Sequence, residues 1–167
     1  MADMHRPQWL APLLWGTLAV GVLDILDAFI FFGLKGVAPT RILQAIAAGV
    51  LGREAAVAGG LATAALGLVL HFVIACGIVS AYMLVSRRVP ALARSPWVFG
   101  PMYGVLVFFI MQLVVLPLSR TAGGGGVRTM ATATLINGLL IHALGVGIPA
   151  ALAARAAWRH ADRLPHA

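Results

Sequence analysis

The sequence predicts an all-α polytopic membrane protein: a bundle of four transmembrane helices, with a short interfacial or re-entrant helix between the first and second spans. Three observations carry that prediction. The 167-residue chain is 61% hydrophobic and only 10% charged, whereas a soluble domain is about a quarter charged. Its apolar residues fall into four runs long enough to cross a hydrocarbon layer about 30 Å thick, over about 10–34, 60–85, 97–118 and 130–154. A fifth run, about 41–51, is too short to cross and supplies the extra helix. The length suits a single transmembrane domain over residues 1–167, with the lipid bilayer as its main partner.

The first span is the most demanding. From Leu10 to Leu34 its only ionisable residues are Asp24 and Asp27. A central Asp costs about 2.5–3.5 kcal/mol on insertion scales, and each Leu, Ile, Phe or Val returns about 0.3–0.6 kcal/mol. Fourteen such residues in this run about offset the pair, so the helix is marginal alone and needs partners. Residues three apart share a helix face, so the two carboxylates look the same way. Trp9 stands where an interfacial aromatic belongs, and the run continues past Asp24 without a small-residue cleavage site, which reads as a retained span rather than a signal peptide.

Lys35 and Gly36 close that span, and Pro39 and Thr40 start the short helix, with Arg41 and Gln44 on its polar side. The second span carries His71 near its centre and lone Cys76, which excludes an intramolecular disulfide. Arg87, Arg88 and Arg94 make a basic connection to the third span, which contains Gly100, Gly104 and Gln112 and stops at Pro117–Arg120. The glycine-rich 121–128 stretch reads as a flexible tether and has neither the Lys-Ser/Thr ending nor the leading strand of a phosphate loop. The fourth span holds Asn137 and His142 and exits at Arg155, Arg159, His160 and Arg163. With four spans, one side collects seven Lys/Arg and the other five, which favours both termini in the cytoplasm.

In lipid, small residues mark helix contacts, and every span turns a polar group toward its small-residue stripe. These stripes are Thr17, Gly21, Asp24 and Ala28; Ala64, Gly67, His71 and Ala75; Gly100, Gly104, Phe108 and Gln112; and Ala131, Thr134, Gly138, His142, Gly145 and Pro149. At about 1.5 Å per residue both histidines lie roughly 15–20 Å from their span starts, close to the depth of the aspartates. The expectation is a buried cluster of Asp24, Asp27, His71 and His142, with Gln112, Asn137 and Tyr103 in a surrounding shell. Such a cluster could share protons.

Several stretches resemble a known group. Leu23-Asp-Ile, Phe32-Gly-Leu, the run from Arg41 to Gly52, Leu70-His-Phe, Gly100-Pro-Met-Tyr-Gly, Val114-Val-Leu-Pro-Leu-Ser and the run from His142 to Pro149 resemble small inner-membrane proteins of proteobacteria, distantly YagU-like. The resemblance covers most of residues 12–155. It implies a bacterial inner-membrane location and a link to acid resistance, and it carries over no catalytic residue. The chain lacks that family's longer polar loop after the first span.

Three functional readings follow. One is proton sensing or proton or ion conduction through the Asp/His cluster. The second is metal or haem binding, in which two His with two carboxylates serve as ligands, or the two His serve as axial ligands; the sequence itself requires no cofactor. The third is a structural or accessory subunit, as a homo-oligomer or against another membrane protein. The aspartates also have a purely structural reading as buried carboxyls that fix helix packing. No basic cluster with aromatics suggests nucleic acid, and no nucleophile elbow or phosphate loop suggests a hydrolase or kinase.

Overall fold

A computed structural model describes residues 8–121 and 130–159. Helices α1 (Leu10–Gly33), α2 (Pro39–Leu51), α3 (Arg53–Ala58), α4 (Gly60–Arg88), α5 (Pro90–Arg94) and α6 (Pro96–Ile110) come first. A π-helical segment at Met111–Val115 then leads into α7 (Leu116–Leu118). Beyond the loop come α8 (Thr132–Ile141), a second π-helical segment at His142–Gly147, and α9 (Ile148–Arg159). Four helices are long and apolar enough to cross a membrane: Leu10–Gly33, Gly60–Arg88, Pro96–Leu118 and Thr132–Trp158. The chain is thus an all-α four-helix bundle of membrane-spanning type. The polar leader 1–7, the glycine-rich stretch 122–129 and the tail residues His160 and Arg163 lie outside the described residues.

The element ends follow from local chemistry. Pro39 fits the first turn of α2, where its missing N–H is no loss. Gly52, at φ +84, makes the corner between α2 and α3 in a left-handed conformation that glycine alone adopts cheaply. Arg87 and Arg88 close α4 beside its free carbonyls, and the Tyr82 hydroxyl donates to Leu92 O at 3.0 Å, tying α5 to α4. Both π-helical segments end shortly before a proline. Pro117 and Pro149 lack the N–H that would bond Leu113 O and Gly145 O, and their rings crowd those carbonyls. The preceding turn widens instead, so that Leu116 N–H reaches back five residues to Met111 O.

One end of the bundle is close-packed. The C-terminal half of the fourth span is its axis: Ala150, Ala151, Ala153 and Ala154 are fully buried against the other three spans. A Cβ on Gly16 would lie 2.7 Å from the Ala153 methyl, and one on Gly100 would lie 3.0 Å from Ile148 Cα. These are backbone-close crossings of the kind that small residues permit in lipid. Several polar groups here are satisfied locally, whereas the buried Thr17 Oγ1 has no partner among the described residues. Tyr103 donates to Ile78 O at 2.7 Å, and Trp158 Nε1 donates to Ser86 Oγ at 2.9 Å while Ser86 donates to Met83 O.

At the opposite end the spans diverge around larger side chains, and α2 covers the gap. Leu43 of α2 lies with its backbone against Gly67 of α4, where a Cβ would sit 2.7 Å from the Leu43 carbonyl carbon. Gln44, buried on α2, donates to Gly60 O at 2.9 Å, and Arg120 N–H donates to Gly49 O at 2.9 Å. The short helix is therefore fastened to the second span and to the end of the third. The short helices α3 (Arg53–Ala58) and α5 (Pro90–Arg94) stand where the sequence predicts plain connections. The small-residue stripes on the second and third spans are buried as expected through Ala64, Gly67, His71, Ala75, Gly100, Gly104 and Phe108, whereas Ala131 at the start of the fourth is exposed.

Candidate functional site

The divergence leaves a cavity of about 580 Å³ between all four spans, roofed by α2. Its walls are mostly apolar. α1 contributes Ala28, Phe31 and Phe32; α2 contributes Ile42, Ile46 and Val50; α4 contributes Leu70 and Ile74; and the third and fourth spans contribute Phe108, Met111, Ile141 and Val146. Set into these walls are Asp24, Asp27, His71, Gln112, Asn137 and His142. Six of the seven polar residues singled out in the sequence thus line one chamber. Periodicity put most of them there: Asp24, His71, Gln112 and His142 lie on the inward stripes of their helices, and Asp27 and Asn137 flank those stripes.

Lining one chamber is not the same as forming a cluster. The expected Asp/His cluster is absent, because His71, His142 and Asp27 each have a nearer partner. His71 Nε2 lies 2.8 Å from Gly21 O on α1. A carbonyl only accepts, so Nε2 carries the hydrogen and donates. The contact exists because α1 passes close to α4 there: a Cβ on Gly21 would meet the Phe72 ring, 2.6 Å from Cδ1. His142 Nδ1 donates to Gly138 O, one turn back, at 2.9 Å. The widening at His142–Gly147 begins at this residue, and the Phe108 ring packs edge-on against the imidazole at 5.4 Å.

Asp27 likewise finds a partner other than histidine. Asn137 Nδ2 donates to Asp27 Oδ2 at 2.7 Å, joining the first span to the fourth. Asp24 lines the chamber one turn earlier and is half-buried. Gln112, within the first π-helical segment, has a buried Oε1 with no partner among the described residues. Tyr103, the remaining residue of the expected shell, lies elsewhere. It does not line the cavity but packs edge-on against Tyr82 at 4.8 Å in the close-packed end, because its hydroxyl reaches Ile78 O.

Chemically, no carboxylate meets an imidazole directly: each ring has one nitrogen on a main-chain carbonyl, and Asp27 is bonded to Asn137. Among the described residues no three His, Cys, Asp or Glu side chains come together as metal ligands would. His71 also has its Nε2 committed to Gly21 O, so it cannot serve as an axial ligand through that atom. What the arrangement can do is surround a small molecule with apolar surface and offer it a few fixed polar atoms. A volume of 580 Å³ lies within the range of about 300–1,000 Å³ typical of ligand sites.

Sequence reasoning missed the contribution of α2 to the walls and that of Lys35 at the rim. The Lys35 ammonium lies 3.8 Å from the centre of the Phe31 ring and donates to Thr134 Oγ1 at 3.2 Å. The apolar Ile42, Ile46 and Val50 recur at helical spacing, which is the signal that could have marked α2 as a wall rather than a surface cover. Comparison of the chain with family models, with curated proteins and with solved structures finds no match.

Proposed function

We propose that this chain is a membrane-embedded binding protein that takes a small amphipathic molecule into the chamber between its four spans. The observation that carries the reading is the chamber itself: apolar walls from all four spans and α2, with ionisable and amide side chains set at defined points. Ionisable groups inside a bilayer are costly and tend to be retained at functional sites. Here they face a space large enough for a ligand rather than one another. The reading includes a bacterial inner-membrane location, in line with the resemblance of the sequence. It also places both termini in the cytoplasm, which the seven-to-five Lys/Arg bias supports.

The test is saturable binding of a neutral apolar fluorophore, phenylnaphthylamine, to the protein in lipid nanodiscs, with empty nanodiscs as the baseline. Ala28→Trp and Ile46→Trp would fill the chamber from α1 and from α2. Saturable enhancement that both substitutions abolish while the proteins stay folded is the expected result. Enhancement no greater than that of empty nanodiscs, or unaffected by either Trp, would refute the reading.

A further inference from the structure

The polar atoms of the chamber are unequally divided between donors and acceptors, and the imbalance identifies a ligand class. Among the described residues its walls carry two carboxylates, Asp24 and Asp27, and no Lys or Arg. Asp27 has one oxygen engaged by Asn137 and a second left over. The histidines add acceptors rather than donors. His71 spends its Nε2 hydrogen on Gly21 O, so in the neutral ring Nδ1 is a lone pair; His142 spends its Nδ1 hydrogen on Gly138 O, which leaves Nε2 as a lone pair. The Gln112 carbonyl oxygen is also without a donor among the described residues. Against these stand the Gln112 amide hydrogens, the Asn137 amide hydrogen not given to Asp27, and the Thr134 hydroxyl; the Ser119 and Thr121 hydroxyls, also on the wall, are engaged with Leu116 O and with each other. Lys35, the nearest cation along α1, is turned onto the Phe31 ring and Thr134 at the rim.

We infer that the chamber takes an amphipathic protonated amine, its ammonium N–H groups donating to Asp24 and the free oxygen of Asp27 and its apolar body lying along Phe31, Ile46 and Ile74. The inference rests on the ligand-binding reading above and narrows it. A carboxylate in low dielectric favours a cation, and charge-assisted hydrogen bonds to it are about twice as strong as neutral ones. Acceptors surrounding the site call for N–H donors, which distinguishes an ammonium from a quaternary cation of equal charge. Anionic amphiphiles are disfavoured by the same two aspartates.

The experiment compares four ligands sharing one decyl chain, namely decylammonium, decyltrimethylammonium, decanol and decanoate. Each is titrated against the protein in nanodiscs and scored as one-to-one adducts by native mass spectrometry. Decylammonium is expected to bind about tenfold or more tightly than the other three. Asp24→Asn should erase that preference without abolishing decanol binding, and Asp24→Glu should restore it. If all four bind alike, if decanoate binds best, or if Asp24→Asn and Asp27→Asn both leave the preference intact, the amine assignment is overturned while the chamber remains a ligand site. If none of the four forms a saturable adduct, the ligand-binding reading itself fails, and the amine assignment fails with it.

Discussion

The crossing of the third and fourth spans gives the sharpest stability prediction. Gly104 faces the backbone of the fourth span. A methyl added there would strike His142 O, would lie 2.5 Å from the His142 carbonyl carbon, and would lie 2.8 Å from Ala143 Cα. Ordinary contact begins at 3.4 Å, so the two backbones must part by at least 3.4 − 2.5 = 0.9 Å, and no side-chain rotation relieves the clash. Overpacking of this kind costs about 1–3 kcal/mol. Replacing a helical glycine by alanine also gains roughly 0.5–1 kcal/mol of conformational entropy, which would mask part of the loss. Gly77 of α4 supplies the correction, because a Cβ there meets nothing within 4 Å. Gly104→Ala should therefore be less stable than Gly77→Ala by about 1–3 kcal/mol, measured by reversible unfolding in mixed micelles. Gly147→Ala should behave like Gly104→Ala, since its Cβ would lie 2.7 Å from the Gly100 carbonyl carbon. The double variant should cost less than the sum, because one separation relieves both clashes. Equal stabilities for Gly104→Ala and Gly77→Ala would refute the close crossing.

Other predictions concern the chamber. Gln112→Met replaces a buried orphan oxygen by an apolar atom of similar size and should stabilise the protein by up to about 1–3 kcal/mol, while weakening ligand adducts; loss of stability would contradict the orphan. A double-mutant cycle between Asp27→Ala and Asn137→Ala should show a coupling of about 0.6–2 kcal/mol, and zero coupling would remove the 2.7 Å bond. Nitrogen-15 spectra of the two imidazoles should show opposite neutral tautomers, with the hydrogen on Nε2 of His71 and on Nδ1 of His142; a common tautomer would contradict one of the carbonyl partners. Gly67→Val should lever α2 off α4, because the added atoms meet the Leu43 backbone, and should weaken binding of phenylnaphthylamine; unchanged binding would mean that α2 does not form a wall.

Much of the architecture is legible from apolar run lengths, since a bilayer admits few alternatives to helices about twenty residues long. The inward stripes are legible for the same reason, and they place Asp24, His71, Gln112 and His142 on one chamber, with Asp27 and Asn137 beside them. Their pairing is not legible, because it depends on backbone atoms that every residue carries. Gly21 O and Gly138 O capture the two imidazoles, and no side-chain pattern announces a carbonyl. The π-helical segments lie between these cases. Pro117 and Pro149 are visible in the sequence and sit just past each widening, yet a proline can as easily kink a helix as widen it. Tyr103 shares a span with Gln112 but lies nine residues earlier, in the close-packed end rather than the open one, a difference of depth that residue type does not reveal.

The central claim is that the bundle is closed at one end and holds a ligand at the other, and thiol accessibility under ligand tests it most directly. In a Cys76→Ala background, Ile141→Cys places a thiol on the chamber wall, whereas Val107→Cys places one in the close-packed core. A small membrane-permeant methanethiosulfonate should modify the first and spare the second, and decylammonium should slow the modification of the first. Equal reactivity at both positions, or an Ile141→Cys rate indifferent to decylammonium, would contradict the account.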